Sequence, residues 1–195
     1  MKNIIVTYIM ESKILQHYKE YIGEKELDIL LKRFDVKTFC DKWNQVITSR
    51  STSFLGSGGS EYSSVRANYS LTNDNKITVF NECYDEKKQY KSIKGTSDCF
   101  DSSVPTCRTV LFPSVGATGN YWILYISKKK DVMIVCCPLI IPHTSIKLMD
   151  NFALYVLAKD RNKFWSNKQM VQNIYAILEK YNFNNFINKP IYSGV

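Results

Sequence analysis

The sequence predicts a mainly β protein: an eight-stranded antiparallel up-and-down β-barrel with a C-terminal α-helix packed on it and an N-terminal helical extension. Two observations predict this fold class, and a general property of sheets favours closure. Residues 43–159 contain short apolar and aromatic runs separated by turn residues, which is typical of an antiparallel meander. Residues 11–33 and 166–181 have apolar side chains at helical spacing. Closure into a barrel leaves no exposed sheet edge.

Composition places the chain among globular proteins. The 195 residues are 45% hydrophobic and 23% charged, so they can bury a core and are not predicted to be disordered. No apolar run reaches the roughly 18 residues of a membrane helix. The net charge of +8 favours anionic partners, among them an anionic membrane surface. The sequence contains no arginine-rich stripe with interleaved aromatics, so nucleic acid is not a predicted partner.

The extension covers residues 1–33 and precedes a barrel domain that covers residues 34–195. Gly23 is expected to divide the helical pattern of the extension into two short helices. The eight predicted strands are 43–49, 64–71, 77–84, 90–99, 107–112, 121–127, 132–137 and 151–159. The C-terminal helix is predicted over 166–181, with Ser166 and Gln169 as a capping box at its start.

The six cysteines leave two interpretations open. An even count suits a secreted or vacuolar protein with disulfides, and Cys99 and Cys107 flank a predicted turn that a bridge could close. Alternatively, all six are reduced and pack as small apolar side chains. The chain begins with an apolar stretch that has no cleavage site after it. Two interpretations remain open. A signal peptide has been removed or is absent from this sequence, which fits a secreted or vacuolar protein, or the protein stays inside the cell.

The sequence does not predict an enzyme. It contains only two histidines, His17 and His143, and neither accompanies a nucleophile motif. The cysteine spacings do not match a structural zinc site, and the glycine-rich segment 56–60 is too irregular for a dinucleotide fingerprint. We therefore expect no cofactor, no metal and no catalytic residue.

Several motifs in the predicted order resemble the lipocalin family, as represented by apolipoprotein D and the bacterial outer-membrane lipocalins. The segment 34–43, FDVKTFCDKW, resembles the family's opening motif, although Asp41 replaces the usual glycine before the tryptophan. Further resemblances are carried by segments 67–71, 77–81, 120–124, 132–136 and 153–159. The last of these ends at Lys159 where the family has arginine, with Arg161 as an alternative in a shifted register.

The resemblance implies a barrel closed at one end, with a ligand-binding interior called the calyx. Trp43 would plug the closed end, and Lys159 would cover its ring as a cation–π partner. Tyr69, Tyr121 and Tyr155 occupy positions that face the calyx in the family. Alternation along the strands adds Val79, Asn81, Ile123 and Leu157 to this interior. The alternative is that these side chains fill the barrel and leave no room for a ligand.

The implied function is to bind, sequester or transport a small hydrophobic molecule, such as a fatty acid, a sterol or a tetrapyrrole like haem. A role in protection against lipid oxidation follows from the resemblance alone. The apolar segment that begins with Leu139, Ile140 and Ile141 is expected at the mouth as a lid, a membrane-touching tip or a homo-oligomer contact. The alternative function is a barrel scaffold that binds a protein partner or a second copy of itself, without a small ligand.

Overall fold

The barrel predicted from the sequence is confirmed. The computed structural model describes residues 13–48, 63–72, 76–138 and 152–181. Eight antiparallel strands follow one another in chain order and β8 pairs with β1, which closes the barrel. The strands are β1 Lys42–Thr48, β2 Ser63–Leu71, β3 Ile77–Tyr84, β4 Tyr90–Cys99, β5 Cys107–Phe112, β6 Ala117–Ile126, β7 Val132–Pro138 and β8 Phe152–Ala158.

The strand bounds agree with the predicted runs to within one residue except at the start of β6. This strand begins at Ala117, whereas the apolar run in the sequence begins at Tyr121. Thr118, Gly119 and Asn120 are small or polar, so nothing in their composition marks them as strand residues. They nevertheless pair with β5, because a 3₁₀ turn at Pro113–Val115 and Gly116, which has φ 62°, fold the chain back tightly.

Two helices of the extension cover the outside of the barrel. Residues 13–22 form α1, Glu24–Arg33 forms α2, and Gly23 separates them with φ 82°, as predicted. The Tyr18 hydroxyl of α1 donates to Ile123 O at 2.8 Å and lies 2.7 Å from Thr106 Oγ1. The Tyr18 ring also packs edge-on against the buried Trp122. The extension therefore shares a continuous core with the barrel.

The C-terminal region corrects the predicted capping box. Ser166 ends a short helix, α4 (Arg161–Ser166), and its hydroxyl donates back to Lys163 O. The second helix, α5, spans Lys168–Lys180 and is capped by Asn167, whose side chain accepts from Met170 N. Asparagine is as good an N-cap as serine and stands one residue later, so the chain breaks there into two helices. The fully buried Ile174 and Leu178 of α5 belong to the common core.

The disulfide considered between Cys99 and Cys107 is absent. All six cysteines lie in the described residues and all are free thiols. The β4–β5 register pairs Cys99 with Arg108, so neighbouring Cys107 points to the opposite face of the sheet. Thiols on opposite faces cannot meet the geometry of a disulfide.

Three other expectations lie outside the described residues: the apolar start of the chain, His143, and the mouth segment with Leu139, Ile140 and Ile141. Among the helices of the described residues, none has the length and apolar character needed to cross a membrane.

Candidate functional site

The pairing register defines which side chains face the inside of the barrel. Partners in a ladder share a face of the sheet. Tyr69 pairs with Val79, and Arg108 of β5 pairs with Tyr121 of β6. The Tyr69 and Tyr121 hydroxyls lie 2.7 Å apart, although β2 and β6 are on opposite sides of the closed barrel. This contact can form only across the interior, so the face that carries these residues is the inner one.

The closed end of the barrel is the end at which β1 begins, and it is filled by aromatic side chains. A short helix, α3 (Val36–Phe39), precedes β1 there and is capped by the Asp35 side chain. The Phe39 ring stacks on Tyr69, with ring centres 4.7 Å apart, and meets Tyr121 edge-on. The buried Trp43 donates from Nε1 to Phe39 O at 3.0 Å.

The structure distinguishes between the two candidate cations for Trp43. Lys159 Nζ lies 5.2 Å from the centre of the Trp43 ring and 2.6 Å from Asp41 Oδ2. The ion pair with Lys159 lowers the pKa of Asp41. Arg161 instead donates to Gln45 O of β1. Asp41, which replaces the family's glycine, thus holds the cation that covers the plug.

The hydrogen-bonded pair Tyr69 and Tyr121 spans the interior of the barrel, and we call this pair the floor of the site. Tyr69 and Tyr121 are only 6% and 8% exposed, and burial raises the pKa of both well above the ordinary value. Both therefore remain neutral at physiological pH and act as hydrogen-bond donors and acceptors. Toward the closed end, the interior is occupied by Phe39 and Trp43.

The seven side chains predicted to line the interior all lie on the inner face, in two groups. Five are buried: Tyr69, Val79, Tyr121, Ile123 and Leu157. Asn81 and Tyr155 lie nearer the other end of the barrel and are partly exposed. We call this second end the mouth end; β1, β3, β5 and β7 end there, and β2, β4, β6 and β8 begin there.

The mouth end also contains inner-face residues that the sequence analysis did not select. Ile93 pairs with Asn81, and Cys137 pairs with Ala153; all four are partly exposed. The Phe112 ring lies over Gly95, where an added Cβ would be only 2.6 Å from Phe112 Cδ1. Alternation along β4 would have placed Ile93 on the inner face, because it stands two residues before Gly95 and four before Ser97, which lie on that face.

A buried amide oxygen toward the mouth end has no hydrogen-bond partner among the described residues. This atom is Asn81 Oδ1. A buried acceptor without a partner costs free energy comparable to a lost hydrogen bond. This amide is therefore a candidate contact for a polar group of a molecule bound in the barrel.

The inner face also carries a buried arginine that the sequence analysis missed. Arg108 is 3% exposed and pairs across the sheet with Tyr121. It donates to Ser97 Oγ, Ser97 O and Pro105 O at 3.0–3.2 Å. Burial lowers its pKa, yet an arginine stays charged in proteins. The signal was present in the sequence, since Arg108 is the one charged residue in the strand CRTVLF.

Comparison with known proteins identifies the family to which these features belong. Residues 34–139 match the family described as lipocalin-like domain, which is more than half of the chain. The protein is a member of the lipocalin family. No curated protein is similar enough in sequence to match the chain.

Solved structures show the same fold at low sequence identity. Lobster apocrustacyanin A1 is 10% identical, with a TM-score of 0.59 over 83% of this chain and 82% of its own. Crustacyanin H1 from the lobster Homarus americanus is 10% identical, with a TM-score of 0.54 over 75% and 72%. The siderocalin Ex-FABP is 11% identical, with a TM-score of 0.52 over 77% and 91%. That siderocalin is described as acting through dual ligand specificities.

Membership of the family supports a general class of function. The lipocalin fold supports the binding and transport of small hydrophobic ligands. Its members are generally binding and transport proteins rather than enzymes, and they are typically secreted.

Proposed function

We propose that this protein binds one small, elongated or planar hydrophobic molecule on the mouth side of the Tyr69–Tyr121 pair. The observation that carries the proposal is the difference between the two groups of inner-face residues. On one side of the pair the interior is filled by Phe39 and Trp43. On the other side, apolar inner-face residues such as Ile93 and Phe112 remain partly exposed.

The partly exposed group supplies both affinity and orientation. Ile93, Phe112 and Ala153 offer apolar surface, and each 100 Å² removed from water on both partners together contributes about 2.5 kcal/mol. Asn81 and the floor hydroxyls supply a few fixed polar contacts. A mostly apolar wall with a small number of convergent polar groups is the usual composition of a small-molecule site.

A titration with Nile red, an uncharged hydrophobic dye, tests the proposal. We expect saturable fluorescence enhancement at one site per chain, and competition by fatty acids, sterols or haem should reduce it. If neither the dye nor any of these competitors binds saturably, the proposed function is wrong.

A matched pair of variants locates the site on the inner face. Ile93→Gln places an amide among the inner-face residues, whereas Leu111→Gln makes the same type of change on the outer face of β5, where Leu111 is exposed. We expect Ile93→Gln to weaken dye binding about tenfold, which corresponds to about 1.4 kcal/mol. Leu111→Gln should leave binding unchanged. Equal effects of the two substitutions would place the bound dye elsewhere.

A surface patch favours a second candidate function, the interaction scaffold. Tyr84 and Tyr90 pack against each other on the outer face of β3 and β4, yet they are 42% and 51% exposed. The exposed Leu111 and Val115 lie on the strand and turn that follow. Exposed apolar side chains of this kind can form a contact with a partner or a second copy. Native mass spectrometry of protein from its own source separates the candidates, because a ligand and a second chain add very different masses.

A further inference from the structure

Charge is distributed unevenly between the two faces of the barrel wall. Within the described strands the inner face carries two charged side chains, Lys91 and Arg108, and no carboxylate. Lys91 is exposed at the mouth end, and its Nζ lies 3.4 Å from Asp85 Oδ2. Arg108 is buried, and no described carboxylate lies within ion-pair distance of its guanidinium. Within the described residues, the inner face therefore carries one positive charge without an ion-pair partner, which we call the unmatched charge.

The hydrogen bonds of Arg108 all go to neutral acceptors, so none of them forms an ion pair. Its three acceptors are one hydroxyl and two carbonyl oxygens, all neutral, and they use three of the five N–H donors of the guanidinium. Asp98, exposed on the outer face of β4, acts on Arg108 electrostatically but forms no ion pair with it. A buried charge that is hydrogen-bonded but unpaired favours a nearby anion, because the low dielectric of the interior strengthens their attraction.

The unmatched charge lies beside the floor of the proposed site. Arg108 and Tyr121 are direct cross-strand neighbours on the inner face, and such side chains are adjacent. The Tyr69–Tyr121 contact uses one of the two hydroxyl hydrogens, and neither hydroxyl has another partner in the described residues. One hydroxyl hydrogen is therefore left to donate to a bound group.

We propose that the ligand is an anionic amphiphile whose carboxylate accepts a hydrogen bond from the Tyr69–Tyr121 pair and is attracted by the charge of Arg108, with its apolar tail toward the mouth end. This inference rests on the proposed function and narrows its ligand class. Arg108 acts through the floor as a positioning residue and need not contact the carboxylate. A purely structural role for Arg108, in which it only ties β4 to the β4–β5 connection, is the alternative that the experiment must separate.

Three ligands with the same tail and different heads provide the test: hexadecanoate, hexadecanol and hexadecylamine, each below its micelle concentration. Their affinities are measured by displacement of Nile red, whose own binding does not depend on charge. We expect the native protein to bind the acid at least about tenfold more tightly than the alcohol, and the amine most weakly. Equal affinities, or tightest binding of the amine, would overturn the inference. Failure of all three to displace bound dye would overturn it together with the proposed function.

Variants then assign the preference to Arg108. Arg108→Met should reduce the acid-to-alcohol preference to about one, whereas Arg108→Lys, which keeps the charge, should retain most of it. Lys94→Met removes an exposed cation from the outer face of β4 and should change nothing. An unchanged preference in folded Arg108→Met would leave Arg108 with a structural role only. If Arg108→Met does not fold, two other variants decide. The assignment is supported if folded Tyr121→Phe loses the acid-to-alcohol preference and Arg108→Lys retains it. Any other pair of results contradicts the assignment.

Discussion

The closed end and the mouth end of this barrel are formed by the same eight strands but differ in what their inner faces contact. At the closed end, Phe39 and Trp43 pack beneath two hydrogen-bonded tyrosines, and most inner-face residues, such as Leu157, are buried. At the mouth end, several inner-face residues, such as Ile93 and Phe112, stay partly exposed, although Cys83 is buried. We therefore expect the stability of the fold to depend mainly on the closed end and ligand binding to depend mainly on the mouth end. Substitutions at the two ends can separate these two properties.

The largest difference is expected from a matched pair of aliphatic truncations. Leu157→Ala removes a buried side chain at the closed end and should destabilise the fold by about 2–5 kcal/mol, because the surroundings cannot fully close the cavity. Ile93→Ala removes an isomeric side chain at the partly exposed mouth end and should cost less than about 1.5 kcal/mol. Urea unfolding followed by tryptophan fluorescence measures both. Equal losses would contradict the division into two ends.

Two inner-face glycines sharpen the comparison at the level of single atoms. A Cβ at Gly95 would lie 2.4 Å from Leu111 O, a backbone atom that cannot easily move, so Gly95→Ala should cost about 1–3 kcal/mol. A Cβ at Gly119 would meet nothing within 4 Å, so Gly119→Ala should be neutral or slightly stabilising. Thermal unfolding of the two variants side by side tests this. A large loss at Gly119 would mean that its surroundings are as tightly packed as those of Gly95.

A smaller effect is expected when the cation that covers the plug is removed. Lys159→Met loses the contact with the Trp43 ring and the ion pair with Asp41, together about 0.5–1.5 kcal/mol at this partly exposed site. Lys163→Met, at an exposed position on α4, is the control and should stay within about 0.5 kcal/mol of the native protein. Urea midpoints measure both, and ligand affinity should not change because the site lies toward the other end.

The smallest effect concerns pH. The pKa of Asp41 is lower in the folded protein than in the unfolded chain, so the carboxylate contributes stability at neutral pH that is lost as the pH falls through its folded pKa. Because Asp41 is about half exposed, the difference between native protein and Asp41→Asn should be at most about 0.5 kcal/mol near pH 7 and should vanish once the carboxylate of the folded protein is protonated. A difference that persists at low pH would arise from the backbone rather than from the charge.

The sequence predicts most of the barrel because strand boundaries have local causes. Apolar runs alternate with turn residues, and Gly23 divides the first two helices. The capping box fails for an equally local reason, since Asn167 stands next to Ser166 and caps α5 itself. The Cys99–Cys107 pairing fails because register, which the spacing of two cysteines does not reveal, decides the face on which each thiol lies.

The candidate site is harder to predict because it depends on contacts across the barrel. Alternation places Tyr69 and Tyr121 on the inner face, but it does not tell that their hydroxyls meet and divide the interior. That contact depends on the stagger of strands that are far apart in the sheet. Phe39 precedes the first strand, so no strand pattern includes it. Arg108 could have been selected, since a lone charge in an apolar strand is unusual, but its lack of an anion becomes visible only in three dimensions.

The packing of the first helices against the last one bears on how the chain folds. Tyr21 stacks on Tyr181, which stands 160 residues later in the sequence, and Glu26 pairs with Lys180, which stands 154 residues later. During synthesis, α1 and α2 leave the ribosome long before either α5 or the strand that carries Trp122 exists. Contacts of such high contact order form late and slow folding, so the apolar residues of α1 and α2 have nothing to pack against in the nascent chain. Docking of α5 is therefore expected to complete the folding of the N-terminal segment as well.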